Sequence, residues 1–210
     1  MTEYLNNITY KDTIPYIPNV TYGKVIKVYD GDTITIACKM PFDKSPIYRF
    51  SVRINGIDCP EIKTSNKTEK ECALIAKTTI SDLVLHKIVY LQNVKLEKYG
   101  RILADVTIGN ISLGDMLCKC NLAVKYDGGT KVSPNDWMEY YNSSTTRPDK
   151  YLHEYSKLNM RENEEENTEK NDKKNDEKNN KNPFFILVNR LIKILTLSNC
   201  LFHKDEPSAS

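Results

Sequence analysis

Three short stretches of the chain carry residues that could do chemistry together. The first is Asp30-Gly31-Asp32-Thr33, two carboxylates around a glycine at the start of an alternating apolar run. Carboxylate oxygens so placed suit a hard cation. An Asp-Gly pair between two such runs is also what a plain hairpin turn contains. The second is Arg53 to Glu61 (RINGIDCPE), where Asp58 and Glu61 stand three apart behind an arginine. If Asp32 and Asp58 converge, they make a small anionic cage. Glu61 then lies beside it, where a base that polarises water is useful, and Arg53 can project to the same mouth. Pro60 stiffens the loop, where its missing N–H costs nothing. The bland alternative is a polar loop with a surface arginine. The third stretch is Lys98-Tyr99-Gly100-Arg101, a turn whose arginine opens the next run. A guanidinium fork matches phosphate oxygens better than an ammonium does.

These stretches fall at the ends of regular elements. Tyr22–Tyr29 and Thr33–Cys38 alternate with period two, and Ile47–Asn55 is a third alternating run after Pro41 and Pro46. Lys67–Leu85 has Cys72, Ala73, Ile75, Ala76, Thr79, Ile80, Leu83 and Val84 at helical spacing. Lys87–Leu96 and Ile102–Ile108 read as two more strands, and Ser112–Leu122 as a second helix. Ser133–Trp137 reads as a capped helix start, with Trp137, Tyr140 and Tyr141 expected to pack on the barrel. Three strands, a helix, two strands and a helix give an α+β chain built on a five-stranded OB-fold β-barrel with two to three packed helices.

The 210 residues carry 30 Lys+Arg against 28 Asp+Glu, so net charge alone argues neither for nor against a polyanionic partner. The 40% hydrophobic content excludes a polytopic membrane protein, and six cysteines are too few for a disulfide miniprotein. The domain is expected over 21–160, after an N-terminal extension at 1–20. Residues 161–182 hold six basic, eight acidic and seven Asn residues plus one Thr, the composition of a disordered linker. Residues 183–210 form an apolar tail. In Phe184–Phe202, Asn189, Lys193, Thr196 and Cys200 recur as one polar stripe on an amphipathic helix. Its two charges make spanning a bilayer break-even, so it is expected to lie on a membrane surface or to dock on protein, with equal weight. No secretory signal is seen at Met1–Asp12, so the chain is expected inside the cell with its thiols reduced. Only Cys118 and Cys120 are closely spaced and the three His are scattered, so no structural zinc is expected.

The three stretches, in this order and at these element boundaries, resemble the staphylococcal nuclease family. The resemblance runs from about Tyr22 to Tyr126. It rests on Val28-Tyr29-Asp30-Gly31-Asp32-Thr33, on Arg53 with Asp58, Pro60 and Glu61, and on Lys98 to Arg101. It implies an OB-fold nuclease that hydrolyses phosphodiesters of DNA and RNA with Ca²⁺. It further implies Asp32, Asp58 and the main-chain carbonyl of Cys59 as Ca²⁺ ligands, with Asp30 behind them. Glu61 would orient or deprotonate water. Arg53 and Arg101 would bind the scissile phosphate, and Lys98, Tyr99 and Tyr126 would line the nucleotide pocket.

The chemistry is coherent without the family. A phosphodiester is anionic and resists attack. A divalent cation and two arginines neutralise its oxygens, increasingly so as charge builds in the transition state. No covalent nucleophile is needed, and Cys59 has no histidine near it in sequence to activate it. Two other functions compete with a nuclease. One is a non-catalytic OB module that binds nucleic acid or protein, against which the joint presence of Asp32, Asp58, Glu61, Arg53 and Arg101 argues. The other is a passive barrel carried by a membrane or partner anchor in the tail.

Overall fold

A computed structural model of the chain describes residues 2–97 and 100–161. Strands β1 (Tyr22–Val28), β2 (Thr33–Lys39) and β3 (Ile47–Ile54) form an antiparallel meander, followed by the two-residue strand β4 (Ile57–Asp58) and helix α1 (Lys67–Val84). β5 (Ile88–Leu96) pairs with the free edge of β1, and β6 (Ile102–Ile108) pairs with β5. β6 then runs parallel to β3, matching Val52 with Ile102, Arg53 with Leu103 and Ile54 with Ala104. That seam closes the sheet into the expected five-stranded OB-like barrel and leaves no open edge between β3 and β6.

The alternation in the sequence accounts for the strands. β6 buries Ile102, Ala104, Val106 and Ile108 and turns the residues between them outward. β1 buries Gly23, Val25 and Val28, and a register shift between Val25 and Lys27 moves its alternation by one. α1 starts at Asn66, whose side chain accepts from the N–H groups of Thr68 and Glu69. It buries Cys72, Ala73, Ala76, Thr79, Ile80, Leu83 and Val84, and of these Cys72, Ala76, Ile80, Leu83 and Val84 join the barrel core.

Short elements complete the fold. β7 (Ile111–Ser112) leads into α2 (Leu113–Lys119), which stops sooner than its apolar spacing suggests. Asn121 takes a left-handed φ of 54°, while Leu122 N–H bonds to Leu117 O and Asn121 N–H to Cys118 O, a Schellman close. β8 (Val124–Lys125) pairs with β4. α3 (Trp137–Asn142) is capped by Asp136 and lies against α1, with Trp137 buried and Tyr140 and Tyr141 partly so. A fourth helix, one more than expected, begins at 149. Met1–Ser156 is one compact unit, and of a second, Lys157–Ser210, only 157–161 are described, all helical. Apart from Arg161, the expected linker at 161–182 and tail at 183–210 lie outside the described residues. Among the described residues no helix is long and apolar enough to cross a membrane.

Candidate active site

The carboxylates of the site are fixed by backbone pairing. Asp58 lies on β4, where it pairs with Val124 of β8, and the turn before it needs Gly56 at φ +76°. Tyr126 N–H then bonds to Gly56 O, which brings the segment after β8 to the same corner. Asp32 ends the loop between β1 and β2, and its carbonyl accepts from Ile54 N–H at the end of β3. Gly31 is required there for space. A β-carbon would lie 2.8 Å from Ala76 Cβ and 2.9 Å from Cys59 Sγ, so the Asp30–Asp32 loop is pressed against both α1 and the Asp58-Cys59 loop. The sequence suggested a turn glycine; the structure makes it a close-approach glycine.

Arg53 joins the two buried aspartates. Its Nη1 pairs with Asp32 Oδ2 at 2.9 Å and its Nη2 with Asp58 Oδ1 at 2.8 Å. Nη2 also donates to Ile57 O at 3.3 Å. Burial pushes the Asp32 carboxyl up to about 6; Arg53 opposes the rise and Asp30 adds to it. Burial works against the charged Arg53, but Asp32, Asp58 and Glu97 outweigh it and raise its pKa. A second cation enters from the loop between β8 and α3. Lys131 Nζ stands 2.6 Å from Asp58 Oδ2 and 3.6 Å from Glu61 Oε1. Burial opposes its charge too, and the two carboxylates reverse that into a raised pKa.

Glu61 is the exposed member of the group, with 59% of its side chain open to solvent. Its backbone N–H bonds to Glu69 Oε1, and Thr64 Oγ1 donates to Glu69 Oε2, so the first turn of α1 holds the Glu61 loop. Cys59 is buried, and burial with Asp32, Asp30 and Asp58 nearby raises its thiol well above the ordinary range. That thiol stays protonated and inert, which agrees with leaving it out as a nucleophile.

The remaining expected residues are only partly gathered here. A cavity of about 280 Å³ beside Arg53 is lined by Asn55, Glu97, Leu103, Tyr126 and Asp127. Arg53 lies 6.0 Å from the centre of the Tyr126 ring. Arg101 is held by Glu97, with Nε at 2.6 Å from Oε2 and Nη2 at 2.9 Å from Oε1. Lys98 and Tyr99 lie outside the described residues. A larger cleft of about 410 Å³, lined by Leu74, Thr78, Tyr141, Arg147 and Leu152 among others, contains none of these charged groups. Sequence reasoning missed Lys131, Glu97 and Glu69. Glu69 carries a local signal, three residues after the Asn66 cap. Lys131 carries none, because its approach to Asp58 spans 73 positions across a Gly-rich loop.

The donor set fits a hard divalent cation. Among the described residues, Asp32, Asp58 and Glu61 pair with two cations, Arg53 and Lys131. Asp30 Oδ1 is buried with no hydrogen-bond partner, and Asp58 Oδ2 makes no aligned hydrogen bond beyond its ion pair. The upward shift of Asp32 comes first from burial, and the neighbouring Asp30 carboxylate adds to it. Among the described residues no three His, Cys, Asp or Glu side chains suffice to hold a metal ion. A cation at Asp32 and Asp58 would therefore complete its oxygen shell from main-chain carbonyl and water.

Residues 51–146 match the sequence model of the staphylococcal nuclease homologue family. That span holds Arg53, Asp58, Glu61, Arg101, Tyr126 and Lys131, while Asp30 and Asp32 precede it. The chain is also similar to a protein of Schizosaccharomyces pombe described as a probable endonuclease. The two are 30% identical over 151 residues, covering 61% of this chain and 64% of that protein, so the chain spans somewhat less than two thirds of this relative. Over residues 51–146 the chain is thus similar to the staphylococcal nuclease homologue family, and the barrel and the grouping of Arg53 with Asp58 are in keeping with that similarity.

Proposed function

We propose that the chain is a calcium-dependent nuclease that hydrolyses phosphodiester bonds of DNA or RNA. The observation that carries this reading is the Arg53 guanidinium joining buried Asp32 and Asp58 beside exposed Glu61. Asp32, Asp58 and the Cys59 carbonyl would hold Ca²⁺, which when bound supplies Lewis-acid charge to the phosphate.

The chain's own residues supply the rest. Glu61, open to solvent, takes the proton of an attacking water as its oxygen bonds to phosphorus. The opposite phosphorus–oxygen bond breaks, and the departing oxygen takes a proton from solvent. Arg53 uses three donor contacts on Asp32, Asp58 and Ile57 O, leaving Nε and one Nη1 hydrogen for phosphate oxygens. Arg101 is aimed by Glu97 and adds a second fork for the same charge. Tyr126 offers a ring face to the base or sugar in the adjacent cavity.

The test is release of acid-soluble nucleotides from single-stranded DNA and from RNA by the full chain, with Ca²⁺ or with a chelator, alongside Glu61→Gln. Chelator-sensitive cutting that falls about 10²- to 10⁴-fold in the variant is expected. A folded chain that binds no Ca²⁺ and cuts neither substrate overturns the reading in favour of a binding module.

A further inference from the structure

Lys131 occupies a place that the proposed reaction does not explain. It lies in 126–136, a stretch without helix or strand that is tied at both ends. At one end Tyr126 N–H bonds to Gly56 O. At the other, Asp136 caps α3 and accepts from Thr68 Oγ1 at 3.1 Å. Between these anchors the chain folds back, with Gly128 in a left-handed conformation and Tyr126 Oη donating to Gly129 O. The side chain that returns to the site is lysine, and it reaches Asp58 at 2.6 Å and Glu61 at 3.6 Å. Among the described residues no other cation pairs with Glu61, and Asp58 has only Arg53 besides.

We propose that Lys131 is a positioning residue that bridges Asp58 and Glu61 in the metal-free protein and surrenders Asp58 to the incoming divalent cation. The inference rests on the reading of Asp32 and Asp58 as cation ligands. An ammonium and a divalent cation cannot share Asp58 Oδ2 without strong repulsion at contact distance. Lys131 therefore competes with the cation and sets the concentration at which the site fills. Until then it keeps two carboxylates from repelling each other apart. Displaced from Asp58, the ammonium remains beside Glu61, on the side where an anionic substrate is recruited.

The experiment is calorimetric titration of Ca²⁺ into the full chain, for the unmodified protein, Lys131→Gln, Lys131→Met and Lys131→Arg. Thermal unfolding of each is followed with and without Ca²⁺. The Gln and Met variants are expected to bind Ca²⁺ about tenfold more tightly and to melt lower without it. Their rise in Tm on adding Ca²⁺ should be larger than that of the unmodified chain, and Arg should restore the unmodified affinity. Lysine at 36% side-chain exposure on a loop is replaceable without loss of the fold, and Gln serves if Met does not fold. Unchanged or weaker Ca²⁺ binding by the folded Gln variant overturns the inference while leaving the nuclease reading intact. Absence of Ca²⁺ binding in the unmodified chain overturns both.

Discussion

Gly31 and Cys59 touch so closely that a single methyl group would part them. A β-carbon on Gly31 would sit 2.9 Å from the Cys59 sulfur and 2.8 Å from Ala76 Cβ, and the second of these cannot swing away. Gly31→Ala is therefore expected to cost about 1–3 kcal/mol through overpacking. Because Asp32 and Asp58 flank the contact, it should also weaken Ca²⁺ binding. Urea unfolding and calorimetry on the same sample check both.

The high pKa of Asp32 predicts a pH dependence of definite sign. Its folded pKa of about 6 lies above the ordinary carboxyl value. Between about pH 4 and 6 the unfolded carboxyl is ionised while the folded one keeps its proton, so folding takes up a proton and stability falls as pH rises. At most about 3 kcal/mol is lost this way, all of it by a little above pH 6. In chelator, unfolding free energies at pH 4, 5, 6 and 7 should show this decline, and Asp32→Asn should remove it. An identical slope in both proteins contradicts the assignment.

Arg53→Lys separates charge from shape. One ammonium cannot pair with Asp32 Oδ2 and Asp58 Oδ1 in the way the guanidinium does. The variant keeps one of the two pairs, so without metal it should lose less than the about 3–5 kcal/mol that breaking a buried pair outright costs. Saturating Ca²⁺ should return part of that loss. Chemical denaturation with and without Ca²⁺ measures it.

Glu69 should matter for rate more than for stability. It receives Glu61 N–H and the Thr64 hydroxyl at the start of α1. Glu69→Ala frees the loop that carries the proposed base, and misplacement of a reacting group by about 1 Å can cost 10²-fold. A fall in kcat of about ten- to hundredfold, with KM and Tm nearly unchanged, is the expected pattern. An equal fall in Tm instead would mark Glu69 as a stability residue.

The barrel strands and α1 were legible because half-buried strands and helices write their faces into the sequence. Ile102, Ala104, Val106 and Ile108 are an example. Asp32, Arg53 and Asp58 were legible as a group, and the structure joins them. Arg101 was legible as an arginine at a turn, but its partner Glu97 was not. The two-residue strands β4 and β8 left no periodic trace, since a pattern needs several repeats to be seen. Lys131 was hidden for a related reason: its position depends on how β8 and α3 anchor a loop, which no local spacing encodes.

The parallel seam between β3 and β6 joins positions fifty apart, Val52 with Ile102 and Arg53 with Leu103. Contacts so distant along the chain carry a loop-closure cost and belong to slowly folding topologies. The β2–β3 hairpin, which matches Thr33 with Arg53, can form from a short stretch of chain. Asp58, in contrast, is clamped only once Val124 has been made, and its lysine partner follows at 131. A growing chain thus carries its acidic loop for some seventy residues before that loop is locked. During synthesis the site stays unassembled until the domain is almost complete.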